Sequence, residues 1–182
     1  QSYLTVACQE YDTAFQFSTL LNCRYVKTQL NTDVVGVEYA AIMKNVYAIA
    51  CGIARGLNYG DNFQAVLVSN AMQEIKRFLD AVKPMSNRDL NASAYLGDLV
   101  VTSYSQFSRN RTFGNMVGHG YSVKSAQMEM NMVAEGYYGT KCINEVNKKY
   151  MIDLPICKAV YNILYEKISP AIEFEILKNL LR

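Results

Sequence analysis

A lysine in the middle of an apolar helix must find a partner or reach water, and Lys44 is such a residue. On its own helix face stand Ala40, Ala41, Tyr47 and Ala48, none of them a carboxylate. A partner must therefore come from elsewhere, or a cleft must open there. Buried lysines change their proton affinity readily and recur as catalytic bases. The bland alternative is a lysine that lays its stem along the core and lifts its head to water. Asn45 follows directly and offers an amide at the same level. Asp98, after Gly97 in an apolar stretch, needs partners if buried and is a mate for Lys44; a capping role for the turn it opens serves equally well. The polar run Ser108-Arg109-Asn110-Arg111-Thr112 is a second centre. At a helix start its guanidinium groups and free N–H groups would suit a phosphate, which arginine grips with two parallel bonds. A plain solvated helix start is the competing reading. Glu135-Gly136 adds a last polar point in a glycine-containing stretch.

These residues need elements to position them. From Val37 to Leu57 apolar residues recur at helical spacing and predict one long helix that carries Lys44. A second helix is expected from Asn62 to Val82, with Ala65, Val68, Met72, Ile75 and Leu79 as its buried stripe, ending before Pro84. Further on, the pattern predicts a short helix over 87–92 and an apolar stretch over 95–104, helical or extended. Helices are also expected from Ser108 to Gly118, from Ser122 to Met130, from Val133 to Asn147 (its start interrupted by Gly136 and Gly139) and from Ile156 to Tyr165. Ser169-Pro170 marks the start of the last helix, through Leu181. Before all of these, Tyr3–Cys8, Asp12–Leu21 and Arg24–Gln29 read as strand, helix and strand, with Ala14, Phe17, Leu20 and Leu21 on one helix face. One such β-α-β unit belongs in a parallel sheet and cannot cover both sheet faces alone. It is the tail of an upstream α/β domain, or a small sheet packed on the helices C-terminal to it. Asn31-Thr32-Asp33 is the turn and capping cluster at the boundary, giving 1–33 and 34–182 as the two parts.

Bulk properties narrow the function classes. With 182 residues, 51% of them hydrophobic, the chain can bury a real core. A net charge of +2 makes no electrostatic case for nucleic acid. Uninterrupted apolar runs are too short to predict a membrane span. Five scattered cysteines without a C-x-x-C pair fit unpaired thiols in a reducing, cytoplasmic setting. The single histidine, His119, lies between Gly118 and Gly120, so no zinc or other metal site is expected. No glycine-rich dinucleotide fingerprint and no phosphate-loop motif is present. The first residue is Gln1, and with no signal-peptide pattern the chain reads as a piece of something larger.

Four ordered stretches carry a resemblance: GVEYAAIMKNVYAIACGIARGLNYGDN, AYLGDLVVTSYSQFSRNRTFG, VAEGYYGTK and LPICKAVYNILYEKISP. Together they resemble NAD(P)-dependent glycerol-3-phosphate dehydrogenase of the bacterial type over residues 34–182. The resemblance implies a mainly α fold: a multi-helix substrate domain like the C-terminal domain of 6-phosphogluconate dehydrogenase, preceded by a β-α-β remnant of a Rossmann domain. It implies reversible hydride transfer between NAD or NADP and glycerol 3-phosphate or dihydroxyacetone phosphate, supplying glycerophospholipid synthesis. By the same resemblance Lys44 is the proton acceptor. Lys44, Asn45, Asp98, Ser108, Arg109 and Asn110 would bind the substrate, and Arg109, Val133 and Glu135 the cofactor. Met43, Tyr39 and Ala134 depart modestly from the family pattern. The partner implied is a small phosphorylated molecule, and a homodimer is an assembly the resemblance allows. The rivals are a non-catalytic helical module for anion binding or dimerisation, and a related hydroxyacid or ketopantoate-type dehydrogenase domain. The ordered S-R-N-R and V-x-E-G motifs separate the family from both.

Overall fold

A computed structural model describes residues 1–130 and 132–182. In chain order these form β1 (Ser2–Ala7), α1 (Tyr11–Leu21), β2 (Val26–Asn31), α2 (Val34–Gly56), α3 (Asp61–Val82), a π-helical turn (Ser93–Gly97), α4 (Asp98–Tyr104), α5 (Arg109–Gly118), α6 (Val123–Glu129), α7 (Glu135–Tyr150), α8 (Pro155–Leu164) and α9 (Pro170–Leu177). The fold is mainly helical, as the sequence predicts. β1 and β2 pair in parallel, from Ser2 opposite Val26 to Ala7 opposite Asn31. That two-stranded sheet shelters only one side of α1. Ala14 is buried, while Phe17 and Leu20, expected on the same covered face, are exposed.

The axis of the structure is α2. Its first turn is closed by Asp33, whose Oδ1 accepts from the Gly36 amide at 3.0 Å. From Val46 to Ala54 every residue is fully buried, because α3, α4, α5, α7 and α8 all pack around this one helix. Long and apolar enough to cross a membrane by length and composition, α2 here is the core helix. It meets α5 backbone to backbone: a Cβ added at Gly52 would lie 2.1 Å from the Arg111 carbonyl oxygen, and one at Gly114 would lie 2.1 Å from that of Ile49. Only glycine permits that approach.

Local signals set most boundaries. Ser108 and Ser122 cap α5 and α6 by accepting from Arg111 N and Ser125 N, and Pro155 and Pro170 open α8 and α9. Three further expectations fail. Residues 87–92 form turns, not a helix, because the Asp89 side chain accepts from Asn91 N and Arg88 folds inward onto Asp33. Gly136 and Gly139 do not interrupt α7 but lie within its first turns, facing α2. On α3, Ala65 is exposed and the buried stripe includes Leu67, Ala71, Glu74 and Phe78. A stripe counted by hydrophobicity leaves out Glu74, which is buried because its carboxylate is fully hydrogen-bonded.

Candidate active site

The middle of α2 carries Lys44 and Asn45, and three other helices begin against it. Asp98, the first residue of α4, places Oδ2 at 2.5 Å from Lys44 Nζ. The lysine left unpaired by its own helix thus has its partner, and the pair is half-sheltered rather than sealed, with side chains 23% and 35% exposed. Lys44 does not simply reach for bulk water.

Asn45 is held by a chain of amides. Asn110, in the first turn of α5, donates from Nδ2 to Asn45 Oδ1 at 2.9 Å. Its own Oδ1 accepts from the Gly136 amide of α7 at 2.8 Å. Gly136 is pressed against α2, where an added Cβ would meet the Asn45 carbonyl oxygen at 2.5 Å. One buried side chain, Asn110, therefore ties α2, α5 and α7 together. The N-terminal ends of α5 and α7 both converge on this point, and such ends favour an anion.

Arg109 stands on the open side of the same turn. Its Nη2 lies 3.6 Å from Glu135 Oε1, and Nη1 lies 3.5 Å from the Met132 sulfur. Val133 is exposed beside them. Ser108 spends its hydroxyl oxygen as the acceptor that caps α5, at 3.3 Å from Arg111 N. Arg111 turns the other way: its Nε is buried and finds no hydrogen-bond partner among the described residues, and its charge acts on the buried Cys51 thiol of α2. Burial pushes that thiol up to about 12, against the smaller opposing influence of Ser103 and Arg111, so Cys51 stays protonated.

The structure thus gathers Lys44, Asn45, Asp98, Arg109, Asn110 and Glu135 on one side of α2, with Ser108 and Val133 at the edge. Sequence reasoning missed the part of Gly136. A glycine read as a helix breaker is the donor that fixes Asn110, and only its contact with α2 could have revealed that. Cavities lie elsewhere: one of about 890 Å³ is bounded by α7, α8 and α9, one of about 710 Å³ runs along the π-helical turn and α4, and one of about 380 Å³ lies beside Asp33 and Arg88. The Lys44 site is an open face and not a closed pocket. Chemically, this face joins a protonatable amine, a carboxylate that holds it, amide groups and an exposed guanidinium. That set suits moving a proton at an alcohol or carbonyl while an anionic group is held nearby.

Comparison with known proteins bears on the same residues. The family model described as NAD-dependent glycerol-3-phosphate dehydrogenase C-terminus matches residues 33–175. Among curated relatives, the glycerol-3-phosphate dehydrogenase [NAD(P)+] of Prosthecochloris aestuarii is 39% identical over 165 residues, covering 90% of this chain and 49% of that protein. The protein of the same name from an Exiguobacterium species is 37% identical over 180 residues, covering 98% of this chain and 51% of its own length. The chain therefore spans about half the length of the curated relatives it matches. Among solved structures, glycerol-3-phosphate dehydrogenase of Coxiella burnetii superposes with a TM-score of 0.91 at 31% identity, over 95% of this chain and 53% of that one. A Dunaliella salina structure shares the fold at a TM-score of 0.84 and 21% identity.

Proposed function

Because the chain belongs to the family of NAD-dependent glycerol-3-phosphate dehydrogenase C-terminal domains, we propose that it is the substrate half of an enzyme interconverting glycerol 3-phosphate and dihydroxyacetone phosphate. In this reading residues 34–182 are the helical catalytic domain and residues 1–33 the end of a nucleotide-binding domain. The observation that carries it is the Lys44–Asp98 pair at 2.5 Å, set beside the Asn45–Asn110–Gly136 chain. A module that merely bound anions would need the guanidinium and helix ends, but no amine held by a carboxylate.

Bound NAD or NADP would supply or take up the hydride. Arg109, Val133 and Glu135 fit an edge contact with it, since they stand together, exposed, at the rim of the site. Within this chain the work falls to side chains. As the C2 hydroxyl of glycerol 3-phosphate is oxidised, its proton passes to Lys44 in its neutral form; in reduction the Lys44 ammonium returns a proton to the forming alkoxide. Asp98 accepts from Lys44 Nζ and so fixes where the amine points. Asn45 has its oxygen engaged by Asn110, which leaves its amide N–H groups to face a substrate oxygen. Arg109 and the start of α5 hold the phosphate, and that anchored group positions C2. The five unpaired cysteines suit the cytoplasmic setting that goes with this reading.

The test is Lys44→Ala in the full-length enzyme. Loss of a positioned general base costs about 10²–10⁴ in rate. We expect kcat for dihydroxyacetone phosphate reduction to fall by that much, with KM nearly unchanged. A kcat close to wild type would remove Lys44 from the chemistry and overturn the proposal.

A further inference from the structure

Far from Lys44, at the start of the same helix, a buried carboxylate gathers three donors. Asp33 is 6% exposed. Its Oδ1 accepts from Gly36 N at 3.0 Å, while Oδ2 accepts from Arg88 Nε at 2.6 Å and from the Tyr95 hydroxyl at 2.7 Å. Arg88 also donates from Nη2 to the Lys83 carbonyl at the end of α3, at 2.7 Å. The cluster therefore joins the start of α2, the end of α3 and the π-helical turn that contains Tyr95. Burial pushes the Asp33 carboxyl up, but the bonds from Arg88, Tyr95 and Gly36 outweigh it and hold the group below its usual value.

The place of Tyr95 gives this cluster a consequence at the candidate site. The π-helical turn Ser93–Gly97 runs directly into α4, whose first residue is Asp98. A π-helical turn accommodates one residue more than an α-helical turn and is unfavourable unless its surroundings hold it. Here Tyr95, 2% exposed, is anchored by its hydroxyl to Asp33, and Ser93 Oγ donates to Gln29 Oε1 of β2 at 2.7 Å. If the turn relaxed to α-helical spacing, Asp98 would rotate about the helix axis by up to about 100°, one residue's share of a 3.6-residue turn. Its carboxylate would then leave Lys44 Nζ. Two bonds thus span from α2 to one short segment: Asp33 to Tyr95 at the helix start, and Lys44 to Asp98 about three turns on.

We propose that Asp33 and Tyr95 are positioning residues for the reaction, holding the π-helical turn so that Asp98 meets Lys44. The inference rests on the proposed roles of Lys44 and Asp98. Asp33 and Tyr95 are both buried, so in this role they act through Asp98 and not on a bound molecule. Gly36 belongs to the same device, since a Cβ there would stand 1.9 Å from Asp33 Oδ2 and expel the carboxylate.

The experiment is a double-mutant cycle in the full-length enzyme, with steady-state reduction of dihydroxyacetone phosphate measured for wild type, Tyr95→Phe, Asp98→Asn and the double variant. Tyr95→Phe keeps the ring in the core and removes only the hydroxyl, so it folds. Small misplacements of a catalytic group cost up to about 10²-fold. We expect Tyr95→Phe to lower kcat about tenfold with KM within about twofold, and to change kcat less than about twofold once Asp98 is already Asn. Gly36→Ala, if it folds, should reproduce the Tyr95→Phe result. An equal loss in both backgrounds would show a general structural role and overturn the inference, as would an unchanged kcat in Tyr95→Phe. If Asp98→Asn and Lys44→Ala both kept the wild-type rate, the active-site reading itself would fail and this inference with it. Loss in those two variants without loss in Tyr95→Phe would sink the positioning role alone.

Discussion

Arg109 and Arg111 stand two residues apart at the start of α5, and the fold gives them opposite surroundings. Arg109 is 42% exposed, with Glu135 as an ion-pair neighbour that a substrate phosphate can displace at small cost, because exposed pairs are worth little. Arg111 has a buried Nε without a partner among the described residues and lies toward Cys51. A plain solvated helix start would let Arg111 tolerate replacement, but the burial of its Nε argues against tolerance. Arg109→Lys keeps the charge and loses the two-pronged grip. Its kcat/KM for glycerol 3-phosphate should fall by on the order of 2–5 kcal/mol, the cost of breaking a charge-assisted pair, while unphosphorylated glycerol loses little. Arg111→Lys should leave the ratio between the two substrates unchanged and lower the unfolding midpoint instead. Equal losses on both substrates in Arg109→Lys would assign that residue to the cofactor or the fold. In this part of the chain, Lys44 was legible because an unpaired amine on an apolar helix demands a carboxylate, and Asp98, a carboxylate in an apolar stretch, needs a partner in turn. The bridge of Asn110 between Asn45 and Gly136 was not legible, since an amide gives no sign in sequence of which amide it will meet.

At the scale of elements, the contact that sets the site is the crossing of α2 and α5, because α5 brings Asn110 and Arg109 to Lys44. Its closeness depends on Gly52 and Gly114. Alanine is the better helix former by about 1 kcal/mol, so on propensity alone Gly114→Ala should stabilise. The structure predicts the reverse. A methyl group at 2.1 Å from the Ile49 carbonyl oxygen meets rigid backbone, and the helices must part. Overpacking of this kind costs about 1–3 kcal/mol or more, and denaturant unfolding should show it, together with reduced kcat as Asn110 is drawn away. Gly60→Ala is the control: none of the described residues lies within 4 Å of its added Cβ, and its cost should stay under about 1 kcal/mol. The same comparison shows what sequence could and could not say about the fold. Helix starts at Ser108, Ser122, Pro155 and Pro170 were legible because capping is local chemistry. Gly136 and Gly139 of α7 read as breaks, the turns over 87–92 read as a helix, and neither the close approach at Gly52 and Gly114 nor the π-helical turn left a local mark. Each depends on a partner distant in the chain: the α2 backbone for the glycines, Asp33 for Arg88 and Tyr95.

For the molecule as a whole, stability depends on a group that no hydrophobic pattern reveals. Glu74 of α3 is fully buried, and its carboxylate accepts from Ile156 N at 2.6 Å, Cys157 N at 3.2 Å and the Tyr47 hydroxyl at 3.2 Å. It thereby caps α8, which has no side-chain cap of its own, and locks α2, α3 and α8 together. Burial pushes this carboxyl up to about 7, while the two amides and Tyr47 pull it partway back. Tyr47 and Cys157 are pushed up as well, chiefly by burial, and stay neutral throughout. An unfolded glutamate releases its proton near about 4.3. Between that value and about 7 the folded state therefore holds a proton that the unfolded state has lost. Stability from this group is fully present below the unfolded value, declines as pH rises through the window, and levels off above it. Across the window the loss is on the order of 3 kcal/mol. Glu74→Gln removes the titration, although its amide N–H group then faces the α8 donors and weakens the fold at every pH. Unfolding free energies of both proteins, measured from pH 4 to 8, should show the wild-type advantage shrinking up to about 7 and then holding constant. An advantage that instead grew with pH would mean that the α8 amides prevail over burial, keeping Glu74 ionised as a charged cap for α8.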